Sequence, residues 1–288
     1  VTAIFTDHTY MVTFVGSILI GATAGALGTF AYLRKQSLIS DVIAHSSFPG
    51  VLGSFLLFTA LGLPSRSLLG LMLGALATGV LAVWLVNFIV AHSKVNRDAA
   101  MAVVLSTLFG AGYMILHYIQ KNPIPNKGGI DSVLFGNVST LTLGDVRLSA
   151  AIAVIVLIVV TVFFRILATY SFDQDFATVL GLRGNKVDAL LFSLIALATV
   201  VGIKAVGLVL MVALVVTPPA IARQWTRRVH TMFILSGVVG AIGCAVGSYL
   251  SIKYGPLPTG PVIVVVLFIG VVFSVLVSPR RRTAMAEV

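Results

Sequence analysis

The stretch MVTFVGSILIGATAGALGTFAYLRKQSLISDVIAHSSFPGVLGSFLLFTA, residues 11–60, decides the fold. Residues 11–33 carry no charge; Arg34 and Lys35 interrupt; residues 36–65 are again apolar apart from Asp41 and His45. A helix needs about 20 apolar residues to cross a ~30 Å hydrocarbon layer, so the stretch reads as two crossings joined by a basic turn. The pattern then repeats over 67–91, 99–120, 148–164, 189–203, 205–222, 231–252 and 261–278. The runs on either side of Lys204 are short and rich in Gly or Pro, and form either two crossings or a re-entrant hairpin. The expectation is an all-α polytopic membrane protein of eight or nine transmembrane helices, one domain over residues 1–288.

Composition agrees. Of 288 residues, 58% are hydrophobic and 10% charged, against about 45–50% and about 25% in a soluble domain. That excludes an ordinary soluble enzyme and a disordered chain. The formal net charge of +10 does not point to nucleic acid, because the basic residues sit between apolar runs, where they set orientation. With the amino terminus outside, thirteen of the nineteen basic residues fall on the inner side, among them Arg34, Lys35, Lys94, Arg97 and Arg280–Arg282. The carboxyl terminus is then cytoplasmic. The single cysteine, Cys244, makes no intrachain disulfide. The first run is too long for a cleavable signal and continues into others.

Two stretches lie between runs. The outer loop, about 121–147, carries Pro123, Pro125, Gly128 and Gly129, the chemistry of an exposed turn. The longest inner connection, 170–188, has Phe172, Phe176, Val179 and Leu180 at helical spacing between acids at Asp173 and Asp175, which predicts a short amphipathic cytoplasmic helix over about 172–181. Gly21/Gly25, Gly70/Gly74 and Gly243/Gly247 are spaced for close helix approach, read here as packing inside the bundle.

Candidate chemistry centres on Asp41 and His45. At 1.5 Å per residue Asp41 lies about 9 Å past Lys35 and His45 about 15 Å, and residues four apart share a helix face. An ionisable group at that depth costs roughly 2.5–3.5 kcal/mol and marks a path for an ion or proton. A carboxylate and an imidazole suit Zn²⁺, Mn²⁺ or Fe²⁺ better than Cu(I); two copies around a dimer axis would supply four ligands. From spacing alone a helix cap at Ser40-Asp41 with a packing histidine, or a proton relay, stands beside the metal reading. His92, His117 and His230 lie at run ends and read as interfacial. No Gly-x-x-x-x-Gly-Lys-Ser/Thr loop, His-Glu-x-x-His or Gly-x-Ser-x-Gly motif is present, so neither ATP hydrolysis nor a protease or lipase chemistry is expected on this chain.

Six segments in order resemble the manganese/zinc/iron permeases of bacterial ABC importers: GALGTFAYLRKQSLISDVIAHSSFPGVLGSFLL (25–57), RDAAMAVVLSTLFGAGYMIL (97–116), LFGNV (134–138), FDQDFATVLGL (172–182), KAVGLVLMVALVVTPPAIAR (204–223) and GPLPTGPVIVVV (255–266). The resemblance implies a fold similar to the vitamin B12 and iron-siderophore importer permeases, a homodimer in the bacterial cell membrane, two cytoplasmic ATPase subunits and an extracytoplasmic metal-binding lipoprotein. It carries the family's pathway acid and histidine onto Asp41 and His45. Its ATPase-coupling helix falls on Phe172, Asp173, Phe176, Ala177, Leu180 and Gly181.

The function so implied is the membrane-spanning permease of an ATP-driven metal importer working by alternating access, not an enzyme. It has no permanently bound cofactor and moves Mn²⁺, alternatively Zn²⁺ or Fe²⁺. Pro49-Gly50 after the histidine looks more like the manganese/iron branch than the zinc branch. Pro49, Pro218 and Pro219 are candidate hinges; the doubled proline departs from the family's more usual single one. Two rivals are a proton-coupled secondary metal transporter and a membrane enzyme with Asp41 and His45 as acid and base.

Overall fold

The computed structural model describes residues 8–34, 38–65, 67–128, 143–182, 184–254 and 258–278. Lys35, Arg66, Arg183 and Arg280–Arg282, the 134–138 element and residues 129–142 of the outer loop lie outside the described residues. Among the described residues there are eleven helices and no strand: α1 His8–Leu33, α2 Leu38–Ala60, α3 Leu68–His92, α4 Arg97–Lys121, α5 Leu143–Val162, α6 Phe164–Phe172, α7 Gln174–Val179, α8 Gly184–Val206, α9 Leu208–Trp225, α10 Val229–Tyr254 and α11 Thr259–Val277.

Six of these are long and apolar enough to cross a membrane, seven if the bent pair α5 and α6 is one span. α1 and α2 are central, with 72% and 67% of their apolar windows buried, whereas α3, α4, α10 and α11 bury between 22% and 33%. The outward faces are apolar too: Leu73, Trp84, Phe88, Val103, Ile242 and Phe268 are all exposed. Helices that are greasy on both sides fit a lipid surround and not water.

Two breaks differ from the sequence reading. The 148–164 run does not end near Phe164: α5 bends by 68° and continues as α6 to Phe172. Thr161 at the bend donates its hydroxyl to the Leu157 carbonyl at 2.7 Å, a back-bond of the kind that bends helices. The run around Lys204 is divided three residues later, at Gly207, whose φ of 84° only glycine adopts without strain.

Packing is closest where small residues face each other. Gly21 and Gly25 of α1 press on the carbonyls of Gly240 and Ser236 of α10, and Gly50 of α2 and Gly74 of α3 each press on the other's carbonyl. The glycine pairs therefore pack inside the bundle, as expected. Ser17–Ser248 at 2.8 Å and Thr29–Ser236 at 3.1 Å tie α1 to α10 through buried hydroxyls. Pro218 and Pro219 lie within α9 and pack beside Gly25 and Gly28 of α1; Pro49 lies within α2 beside Gly112 of α4.

Candidate metal site and docking segment

α2 begins at Leu38, so Asp41 sits in its first turn and not at a cap position. The Asp41 carboxylate is one helical turn below the His45 ring, and His45 Nε2 lies 3.0 Å from Asp41 Oδ1. Their side chains are 27% and 22% exposed, so the pair opens on the surface of the single chain while the backbone under it is packed. The other ring nitrogen, Nδ1, is buried with no hydrogen-bond partner. Phe109 of α4 meets the imidazole edge-on, with ring centres 4.9 Å apart.

The next turns of α2 close over this pair with apolar side chains. Phe48 lies 5.8 Å from Phe109, and Phe48, Leu52 and Phe55 form one buried cluster with Leu116 and Ile119 of α4. Ile124, from the start of the outer loop, packs against the same cluster. Among the described residues no group of three or more His, Cys, Asp or Glu side chains comes together. One chain thus offers a carboxylate oxygen and a ring nitrogen side by side, which is two ligands for a divalent cation or one hydrogen-bonded acid–base pair.

The amphipathic segment forms the six-residue helix α7, shorter than the 172–181 expected. Asp173 caps it, accepting from Phe176 N at 2.9 Å. At the other end Gly181 takes φ 79°. Its N–H donates to Thr178 O, and the Leu182 N–H donates to Ala177 O, a glycine-terminated Schellman closure. Phe172, Phe176 and Leu180 are 54–60% exposed while Ala177 is fully buried. The segment therefore exposes apolar side chains before, on and after α7, while α7 itself seats the Ala177 methyl group against the bundle.

Sequence reasoning missed a third feature. Arg34, placed by its position at the membrane surface, has a side chain only 1% exposed and is ion-paired with Asp188 of α8. Its guanidinium lies 5.0 Å from the Tyr170 ring centre and 5.6 Å from that of Phe192. The partners are 154 residues apart, and no local pattern announces such a contact. His92 is at an exposed helix end, bonded to Phe88 O at 3.0 Å and stacked on the Phe88 ring, in keeping with an interfacial place.

Comparison with known proteins places this architecture. The manganese transport system membrane protein MntC of Bacillus subtilis is 38% identical over 269 residues, 93% of this chain but 61% of that protein's length. The zinc transport system membrane protein TroC of Treponema pallidum is 34% identical over 278 residues, covering 96% of this chain and 92% of TroC. The solved structure of PsaBC from Streptococcus pneumoniae in complex with Fab superposes with a TM-score of 0.88 at 26% identity, over 100% of this chain and 98% of that one. With the family's own pattern matched from residue 7 to residue 278, the chain belongs to the ABC 3 transport family.

Proposed function

We propose that this chain is the membrane permease of an ATP-driven importer for a divalent transition metal, Mn²⁺ in the first place. The carrying observation is the Asp41–His45 pair, with Nε2 and Oδ1 3.0 Å apart on one face of a membrane helix, in a chain of this family. A cation arriving there would take one ligand from each, the Asp41 carboxylate oxygen and the His45 Nε2 lone pair. Two ligands bind weakly, and a transport site must release as readily as it captures. A homodimer that brings two such pairs to its axis supplies four ligands, and the partial exposure of both side chains fits a face that a second copy covers.

The helices α8 and α9, added to the seven spans that count α5 and α6 as one, complete nine crossings around that path, with the amino terminus outside and the carboxyl terminus in the cytoplasm. Cytoplasmic ATPase subunits dock on Phe172, Phe176 and Leu180, with Asp173, Ala177 and Gly181 shaping the helix that presents them. A metal-binding lipoprotein docks outside, at the loop that begins after α4. Pro49 is the hinge position nearest the metal pair; Pro218 and Pro219 are hinge positions on α9, beside Gly25 and Gly28 of α1. Zn²⁺ is the second reading, favoured by the likeness to TroC, a zinc transport protein. A proton-coupled carrier built on Asp41 remains the rival mechanism.

The test is uptake of radioactive Mn²⁺ and Zn²⁺ by proteoliposomes holding the chain with its ATPase and binding protein. Asp41→Asn and His45→Ala are expected to reduce uptake by about 100-fold or more, each by removing one of the few ligands, with the assembled complex still recovered. Unchanged uptake in either variant removes the site. Uptake that survives without ATP and collapses with the proton gradient supports the rival.

A further inference from the structure

Arg34 stands at a junction that the transport site does not use. Its Nη2 is paired with Asp188 Oδ1 near the start of α8. Its guanidinium lies over the Tyr170 ring of α6, and the Asp188 carboxylate comes close to the same tyrosine's hydroxyl. Gly184, the first residue of α8, comes so close that a Cβ there would stand 2.5 Å from the Tyr170 hydroxyl. The chain leaves the bundle after α6 and returns at α8, and α7 is the excursion between them. Tyr170, Gly184 and Asp188 pinch the base of that excursion shut, and Arg34 fastens the pinched base to the end of α1.

Such a cluster is a poor choice for stability alone. Nε and Nη1 of Arg34 are buried without a hydrogen-bond partner. Apolar side chains of similar volume often hold a buried position as well as an ion pair or better. What the pair and the stacked rings add is geometry: a planar guanidinium held by one carboxylate and two aromatic faces allows one arrangement of α1, α6 and α8. α1 in turn is locked to α10 by Gly21, Gly25 and Gly240. A push on the exposed Phe176 face therefore passes through a rigid base into the central helix of the bundle.

We propose that Arg34 is a positioning residue for energy coupling, joining the docking segment to α1 so that movement of α7 is delivered to the transport path. This rests on reading α7 as the ATPase-docking helix. In reconstituted full transporter, ATP hydrolysis and uptake of Mn²⁺ are measured on the same proteoliposomes, and co-purification of the ATPase subunit is scored for each variant. Arg34→Met is expected to lower Mn²⁺ carried per ATP hydrolysed by about tenfold, with the ATPase still bound and hydrolysis within about twofold of the parent.

Tyr170→Phe, which removes one hydroxyl and keeps the ring, is expected to lower the same ratio by about threefold. An unchanged ratio in Arg34→Met, or a fall in hydrolysis that matches the fall in uptake, overturns the proposal. If Arg34→Met does not assemble, Tyr170→Phe decides: an unchanged ratio there overturns it as well. Phe176→Asp separates the two ideas, because it is expected to release the ATPase altogether. A bound and stimulated ATPase in that variant refutes the docking reading, whatever Arg34 does.

Discussion

The seam between α1 and α10 and the face of α2 that carries Asp41 and His45 are built in opposite ways. In the seam, glycine backbones touch, and the buried hydroxyls of Ser17, Thr29, Ser236 and Ser248 all have hydrogen-bond partners. On the α2 face, His45 Nδ1 is buried with no partner, and the two ionisable side chains are partly open. The first arrangement leaves no room and no unmet hydrogen bond, so it has one stable state. The second holds polar groups that are only partly satisfied, so a ligand or a partner surface can improve on what is there. The transport cycle proposed above needs both: bodies that do not deform and a lining that responds.

Breaking the seam is expected to have the largest effect. A Cβ on Gly240 would run into the Gly21 carbonyl oxygen, and α1 cannot yield because Gly21 already abuts the Gly240 carbonyl and the Cys244 sulfur. Gly240→Val is expected to cost ~3 kcal/mol, the upper end for overpacking, and to abolish the monodisperse peak in detergent size-exclusion. Gly53, on α2, is the contrasting position: nothing lies within 4 Å of its would-be Cβ. Gly53→Ala is expected to hold or raise the melting temperature, by up to about 1 kcal/mol of helix propensity. Equal losses at the two positions would erase the distinction.

Much of this was legible in the chain. Apolar runs of membrane length mark the long helices because hydrocarbon demands continuous apolar surface and internal hydrogen bonding. The i, i+4 rule placed Asp41 and His45 together, and their 3.0 Å contact is that rule realised. The Phe172–Phe176–Leu180 spacing points to one helix over 172–181, but the chain is extended at Asp173, so Phe172 closes α6 and only the shorter α7 carries Phe176. The bend at Phe163 was hidden because no Pro or Gly marks it; a threonine back-bond does. The break falls at Gly207 and not at Lys204; hydropathy registers charge and not φ. Nothing in the sequence separates Arg34 from Lys35, because every basic residue at a run end looks alike. Only the fold brings Asp188, Tyr170 and Phe192 around it.

Sharpening the other side of the comparison takes a smaller change. Phe109 meets His45 at a ring distance of 4.9 Å and Phe48 at 5.8 Å, so it links the Asp41–His45 pair to the apolar cluster above. Phe109→Leu keeps an apolar filler and removes the ring edge. An aromatic contact of this kind is worth about 0.5–1.5 kcal/mol, so half-saturating Mn²⁺ for uptake is expected to rise about two- to tenfold with the melting temperature little changed. A large loss of stability with unaltered half-saturation would make Phe109 a packing residue only.

The finest test lies within the seam itself, where two hydroxyl pairs differ in what their loss leaves behind. Thr29 donates to Ser236, which donates onward to the Met232 carbonyl; Ser236→Ala strands a threonine hydroxyl that is fully buried. Ser17 donates to the Phe14 carbonyl at 3.0 Å as well as meeting Ser248, so Ser248→Ala leaves Ser17 with an acceptor. Stranding a buried group costs about 1–3 kcal/mol, whereas one interhelical hydrogen bond in a membrane bundle averages about 0.6 kcal/mol. Reversible unfolding in mixed detergent should therefore rank Ser236→Ala clearly below Ser248→Ala. The reverse order would mean that the contact with Ser248, and not the satisfaction of Thr29, holds α1 to α10.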